Sequence, residues 1–276
     1  MTLISVDHVT YGYSRKPVLK DISLTFKRGE IVSLLGPNGS GKTTFLKILL
    51  GLYRPQEGRV LFEGRSVSEI PPKQIARRIA YVPQSHRLAF GYRVMDVVLM
   101  GRIPHKPFFF QYSNDDQKAA LDALERLSID HLKDRPYTEV SGGERQMTLI
   151  ARAIVQGADI FIMDEPVNGL DYGNQIRLLY RITDLARHGY TFIKTTHFPD
   201  HALWFSDRVV MLKAGKVIAD GDALQMINRI NLYNLYNTHI KVIELDDGAH
   251  ICIPDGLRGQ DNHCAPNDSF KMHELV

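Results

Sequence analysis

Polar and apolar positions alternate near the N-terminus. Ile22, Leu24 and Phe26 are separated by Ser23 and Thr25, the period of a half-buried antiparallel strand. Residues 1 to 30 as a whole read as β, closed by a turn at Arg28-Gly29. The period then changes. Ile31–Leu35 is an almost unbroken apolar run, a buried strand, and a helix follows over 44 to 50. Further strands are expected at 60 to 62, 79 to 82, 160 to 163 and 191 to 196, and a hairpin at 209 to 219 about Ala214-Gly215. Residues 91 to 155 are different in character. A short apolar helix is expected over 94 to 100. Ser113, with Asp116 three residues on, caps a second helix that sets Leu121, Leu124 and Leu127 on one face. A last helix is expected over 174 to 187. Strands interleaved with helices, with a helical insertion at about 91 to 155, make this an α/β chain, and no internal repeat divides it.

Composition narrows the class. At 276 residues, 44% of them hydrophobic, the chain suits one large α/β domain with insertions or two small ones. A net charge of +3 is too small to point to nucleic acid. Two cysteines cannot form a disulfide framework, so a reducing compartment is expected. No apolar stretch approaches the ~18 residues that cross a bilayer, and the N-terminus lacks the pattern of a signal peptide. Work at a membrane would require a partner that spans it.

The chemistry enters between the buried strand and its helix. Gly36-Pro37-Asn38-Gly39-Ser40-Gly41-Lys42-Thr43 fits G-x-x-x-x-G-K-[ST], the phosphate-binding loop. The glycines let backbone N–H groups converge on nucleotide phosphates. Lys42 is placed to reach the β- and γ-phosphates, and the Thr43 hydroxyl to help hold Mg²⁺. A phosphate would lie at a helix N-terminus, where unpaired N–H groups favour negative charge.

Two strand ends supply the complement. The apolar run 160 to 163 stops at Asp164-Glu165, which sends two carboxylates towards the metal and the γ-phosphate. Asp164 would hold Mg²⁺ through its water shell, and Glu165 would polarise the attacking water. His197 ends the next strand, a third position from which to reach the γ-phosphate. Ser141-Gly142-Gly143-Glu144 has two readings. As S-x-x-E it is a capping box for a helix over 145 to 155, whose Met147, Ile150, Ala151 and Ile154 form one stripe. Its two glycines also leave the helix N-terminus bare, a second anion site. A nucleotide bridged between two copies of the chain would use both sites.

These elements, in this order, resemble the ATP-binding subunits of ABC transporters over residues 2 to 254. Residues 36 to 44, with Thr44 completing them, match the Walker A motif, and Gln84 matches the Q-loop. Residues 141 to 146 match the signature motif, 160 to 165 Walker B, and 166 to 171 the D-loop. His197 matches the switch histidine, and Tyr13 the aromatic that stacks on adenine. The signature departs at Val140 and Glu144, and the D-loop at Asn168-Gly169, which leaves that loop looser.

The resemblance implies a P-loop ATPase core, over 2 to 238, with an antiparallel β subdomain and an α-helical signature subdomain. It implies ATP with Mg²⁺ held by Thr43, Gln84 and Asp164, and catalysis by Glu165, His197 and Gln84. The implied partners are a second copy arranged head to tail, integral membrane permease subunits and, indirectly, a substrate-binding protein outside the membrane. The implied place is peripheral, on the cytoplasmic face of the inner membrane.

Residues 82 to 86, 97 to 105 and the ending 236 to 254 resemble the metal-chelate importers, which take iron–siderophore, haem, cobalamin or molybdate. The rivals are the ATPase of a cobalt or vitamin uptake system, an exporter, or a soluble ABC ATPase. The last usually inserts long coiled coils, and no sustained heptads occur here. In this group a permease helix docks near residues 84 to 110. The helix over 94 to 100 is expected to offer it apolar surface, and Arg102 and His105 polar reach. Phe108-Phe109-Phe110 reads as cover for the helical core, or else as a contact to a membrane partner. His250 and Cys252 fall on a hairpin strand opposite 240 to 245, so a plain hairpin at 239 to 254 is preferred to a metal site completed by His263-Cys264. Residues 255 to 276 read as a disordered tail.

Overall fold

The computed structural model describes residues 2–14, 16–84, 91–107 and 109–256. Ser85, His86, Phe108, His263 and Cys264, and with them the tail from 257 on, lie outside the described residues. The chain begins with β1 (Thr2–Tyr11), β2 (Leu19–Lys27), β3 (Ile31–Leu35), α1 (Lys42–Leu49), β4 (Glu57–Phe62), β5 (Arg65–Ser66), α2 (Pro72–Ile75) and β6 (Ile79–Val82). There follow α3 (Val94–Leu99), α4 (Asn114–Arg126), α5 (Gly142–Val155), β7 (Ile160–Met163), α6 (Tyr172–Arg187), β8 (Thr191–Thr196) and α7 (Pro199–Trp204). The described chain closes with β9 (Arg208–Lys213), β10 (Lys216–Asp222), α8 (Ala223–Met226), α9 (Arg229–Tyr236), β11 (Ile240–Glu244) and β12 (His250–Pro254).

Two sheets sandwich α1. One is antiparallel, in the order β2-β1-β4-β5. The other, β10-β9-β3-β8-β7-β6, is parallel except for its edge strand β10. The short apolar runs are the parallel strands, and their composition follows from burial on both faces. On β7, Ile160 and Ile162 join the core around α1, while Phe161 and Met163 join the core of the helical subdomain. The antiparallel sheet has one wet face, so β2 keeps the alternation of buried Ile22, Leu24 and Phe26 with exposed Asp21, Ser23 and Thr25. Phe26 meets Phe45 of α1 with ring centroids 6.3 Å apart.

The helical segment is built on α3, α4 and α5. Val94, Val97, Val98, Ala120, Leu124, Leu149 and Ile150 form its core. Ser113 caps α4 as expected, its hydroxyl accepting from the Asp116 N–H. A third core lies beneath α7, α9 and the β11–β12 hairpin.

Three expectations for the 94 to 110 segment are corrected. First, most of the apolar residues over 94 to 100 face inward: Val94, Val97, Val98 and Leu99 are buried, and only Met95 and Met100 are partly exposed. Second, Arg102 and His105 do not reach outward. After α3 the chain tightens into a 3-10 turn over Met100–His105. This turns Arg102 Nε onto the buried Asp116 carboxylate (2.9 Å) and His105 Nε2 onto the Gln156 carbonyl (2.8 Å). Third, the aromatic run is divided: Phe109 is 88% exposed and does not cover the core, whereas Phe110 is half-buried, edge-on against Tyr112, which packs on the helical core.

Arg102→Glu is therefore a folding lesion. Asp116 is 2% exposed and is paired with Lys106 as well as Arg102. Those partners, Lys106 foremost, hold its carboxyl well below the ordinary value of 3.8. The stability it contributes is complete above that value and is lost as pH falls through the depressed one. A second carboxylate there is expected to cost about 3–5 kcal/mol, the range for stripping one partner from a buried pair. Urea unfolding at neutral pH reads this directly, and an unchanged midpoint would contradict it.

Candidate functional site

Four strand ends meet on one edge. β3, β6, β7 and β8 run parallel, so Gly36, Gln84, Asp164-Glu165 and His197, each just past a strand's carboxyl end, emerge together. Ligands of open α/β sheets bind at that edge. A cavity of about 580 Å³ opens there, with Asn38 to Thr44 as one wall and Gln84, Glu165, Asn168 and His197 as the other, while Gly36 and the buried Asp164 lie behind its lining.

The loop between β3 and α1 is held open by backbone geometry. Gly36 lies so close to β9 that a Cβ there would stand 2.3 Å from the Leu212 carbonyl oxygen. Gly41, with φ of 106°, is the left-handed residue that turns the chain into α1. Lys42 folds back across the loop and donates to the carbonyls of Gly36 (2.7 Å) and Pro37 (3.2 Å). Burial lowers its pKa, while Glu165 and then Asp164 act in the opposite direction. The buried Ser40 hydroxyl has no hydrogen-bond partner among the described residues. A buried polar atom without a partner is uncommon, and at a loop of bare N–H groups it fits an anion such as phosphate.

Glu165 is the hub of the opposite wall. Its φ of 43° is rare for a residue with a side chain, and strain of this kind gathers at functional sites. The Thr195 hydroxyl anchors the turn, accepting from the Glu165 N–H (2.7 Å) and donating to Asp164 Oδ1 (2.7 Å). Around the Glu165 carboxylate stand Gln84 Nε2 (3.0 Å), Asn168 Nδ2 (3.3 Å), His197 Nδ1 (3.6 Å) and Lys42 Nζ (3.7 Å). A carboxylate surrounded by donors faces a cavity walled by a phosphate loop. Such a site can bind a polyphosphate and hold a water against its end.

Tyr13 stands at the rim, 62% exposed, with its hydroxyl against Thr44 Oγ1 (3.1 Å). Tyr11 and Tyr53, stacked on each other, brace its ring edge to face. The signature residues lie elsewhere. Ser141 caps α5, accepting from the Glu144 N–H, and the Glu144 carboxylate accepts from the Ser141 N–H at 2.7 Å. Those contacts hold the Glu144 carboxyl below its ordinary pKa. None of Ser141, Gly142, Gly143 and Glu144 borders the cavity at Lys42.

Asn168, Thr195, Tyr11 and Tyr53 are the contributors with no site role read from the sequence; Asn168 stood out there only as a departure in the D-loop. Thr195 left a trace, as a hydroxyl in a strand buried along its whole length. Tyr11 and Tyr53 left none, since their meeting depends on the loop after α1 returning to the end of β1. The plain hairpin is present as β11 and β12, and no group of metal-ligating side chains occurs among the described residues.

Comparison with known proteins gives a consistent picture. The ABC transporter family profile matches residues 19–168. An uncharacterized ABC transporter ATP-binding protein of Haemophilus influenzae is 40% identical, over 90% of this chain and 95% of its own length. The iron(3+)-hydroxamate import ATP-binding protein of Bacillus subtilis is 32% identical, over 82% of this chain and 85% of its own. Among solved structures, an inward-facing, putative metal-chelate type ABC transporter superposes with a TM-score of 0.82. It is 30% identical and covers 92% of this chain and 97% of its own.

Proposed function

Because this chain belongs to the ABC transporter family, as one of its ATP-binding subunits, we propose that it is the ATPase of an importer for an iron chelate or a chemically similar metal complex. The observation that carries the ATPase reading is the convergence of Lys42, Gln84, Asn168 and His197 on Glu165 across one cavity. In this reading Lys42 exchanges the Gly36 and Pro37 carbonyls for the β- and γ-phosphates of ATP. Glu165 is the general base for the attacking water, and His197 meets the γ-phosphate. Tyr13 supports the adenine. Thr43, Gln84 and Asp164 offer only oxygen donors, which suits Mg²⁺, and the ion when bound offsets phosphate charge.

The signature helix lies away from its own phosphate loop, which supports a head-to-tail pair. Each ATP would then sit between Lys42 of one copy and the bare N-terminus of α5 in the other. Among the described residues no helix is long and apolar enough to cross a membrane. The proposal therefore places the chain on the cytoplasmic face of a permease, with a substrate-binding protein engaged only indirectly.

A groove of about 710 Å³ between α2 and the Met100–His105 turn supports that docking. It is lined by Leu52, Ile70, Ile75, Met100, Ile103 and Pro104, and Leu52 and Ile103 are 63% and 51% exposed. It takes the role first expected of Arg102. Deletion of the gene should abolish uptake of an iron chelate, and the wild-type copy should restore it. Ile103→Glu should leave ATP turnover of the isolated subunit within about twofold, as a surface change does, yet fail to restore uptake. Intact uptake by the deletion strain across iron chelates, cobalamin and molybdate would overturn the cargo class. Full rescue by Ile103→Glu would overturn the docking site.

A further inference from the structure

His197 is held in an unusual way. Its Nδ1 is buried without a hydrogen bond among the described residues, 3.6 Å from Glu165 Oε1 and beyond bonding distance. Its ring lies against Phe198, centroids 4.1 Å apart and planes tilted by 38°, an apolar contact that makes no directional hydrogen bond. What fixes the residue is its backbone. The Tyr236 hydroxyl, at the last turn of α9, donates to the His197 carbonyl at 3.0 Å. Tyr236 packs in the third core, and burial pushes its phenol pKa up, so it stays a donor across the physiological range.

The surroundings make that hydrogen bond stiff. α7 starts two residues after His197, and the hairpin grips it twice. The Cys252 N–H donates to Asp200 Oδ1 (2.7 Å), and Trp204 Nε1 donates to the His250 carbonyl (2.6 Å). Ala202 and Leu203 of α7 share a core with Leu232 and Leu235 of α9. Lys213 ties the end of α9 back to the sheet through Asn237 Oδ1 (2.7 Å) and the Asn234 carbonyl. A rigid C-terminal unit thus presents one hydroxyl to the peptide that sets the direction of the His197 side chain.

We propose that Tyr236 is a positioning residue for ATP hydrolysis, acting through the His197 carbonyl to hold the imidazole where it meets the γ-phosphate. This rests on the proposed role of His197. It assigns a role in the reaction to α9, the last helix among the described residues.

The test is a double-mutant cycle on the full chain, measured as steady-state ATP turnover over a range of Mg-ATP. Tyr236→Phe keeps the ring and removes one oxygen. It should lower kcat about three- to tenfold, the effect of one neutral hydrogen bond, with KM for ATP within about twofold. In a His197→Ala background the same change should do nothing further. The unchanged KM also shows that the nucleotide site is folded. If His197→Ala turns over like wild type, the role of His197 fails and the proposal falls with it. If His197→Ala is impaired but Tyr236→Phe is not, or if Tyr236→Phe costs the same in both backgrounds, Tyr236 is not acting through His197. The reading of His197 would then stand alone.

Discussion

Glu165→Gln is expected to lower ATP turnover by about 10²- to 10⁴-fold, the range for loss of a general base, while ATP still binds. The substitution is isosteric. An amide oxygen in place of Oε2 can still accept from Gln84 Nε2, now at 3.0 Å, and from Asn168 Nδ2, so the wall of the site keeps its shape. What is lost is the proton acceptor and a negative charge. That charge lies 3.7 Å from Lys42 Nζ and would face the γ-phosphate. Its removal frees Lys42 for the nucleotide and relieves like-charge repulsion, so affinity for ATP should hold or rise. Bound ATP that is not hydrolysed should trap the head-to-tail pair. Phosphate release, calorimetry and size exclusion in Mg-ATP test the three parts. Wild-type turnover would remove Glu165 from its role, and a strictly monomeric variant would count against the shared site.

Lys42→Ala is expected to weaken ATP binding by roughly 10²- to 10⁴-fold, as loss of two charge-assisted hydrogen bonds to phosphate implies. Lys42 is 6% exposed and already spans the loop, so the ammonium is preplaced and little ordering is needed when the nucleotide arrives. Removing it also strips the Gly36 and Pro37 carbonyls of their donor and leaves Glu165 without its buried counter-charge. Lys42→Met keeps most of the stem and isolates the charge. Both variants should lose affinity by calorimetry, with Lys42→Met the closer to wild type in melting temperature. Near-normal affinity in Lys42→Met would show that the charge is not what binds the phosphates.

Legibility differed between parts of the molecule for a physical reason. The strands β3 and β7 were readable because both faces are buried, which forces an apolar run whatever surrounds it, and β8 was readable from its β-branched residues Thr191, Ile193, Thr195 and Thr196. The caps of α4 and α5 were readable because a capping box is a local hydrogen-bond exchange between residues three apart. α7, α8 and α9 were not read. They are short, and α9 buries only Leu232 and Leu235 and exposes Ile230 and Tyr233, so it carries a weak period. Arg102 was misread because a charged residue after an apolar helix looks exposed. Only the 3-10 turn beyond α3 sends it inward to Asp116.

The sequence by itself determined the chemistry of the nucleotide site. The spacing of Gly36, Gly41, Lys42 and Thr43 is a local requirement of phosphate binding, Asp164 and Glu165 mark a strand end by terminating an apolar run, and His197 follows a strand rich in β-branched residues. Only the tertiary structure decided which of these groups meet. Parallel pairing of β6, β7, β8 and β3 gathers four distant segments at one edge and sets Gln84, Asn168 and His197 around a single carboxylate. It also turned Arg102 onto Asp116 and brought Tyr236 to the His197 carbonyl. Contacts within a few residues are fixed by local geometry and can be read along the chain. Contacts between distant segments depend on strand order and on how the layers pack, which no local pattern records.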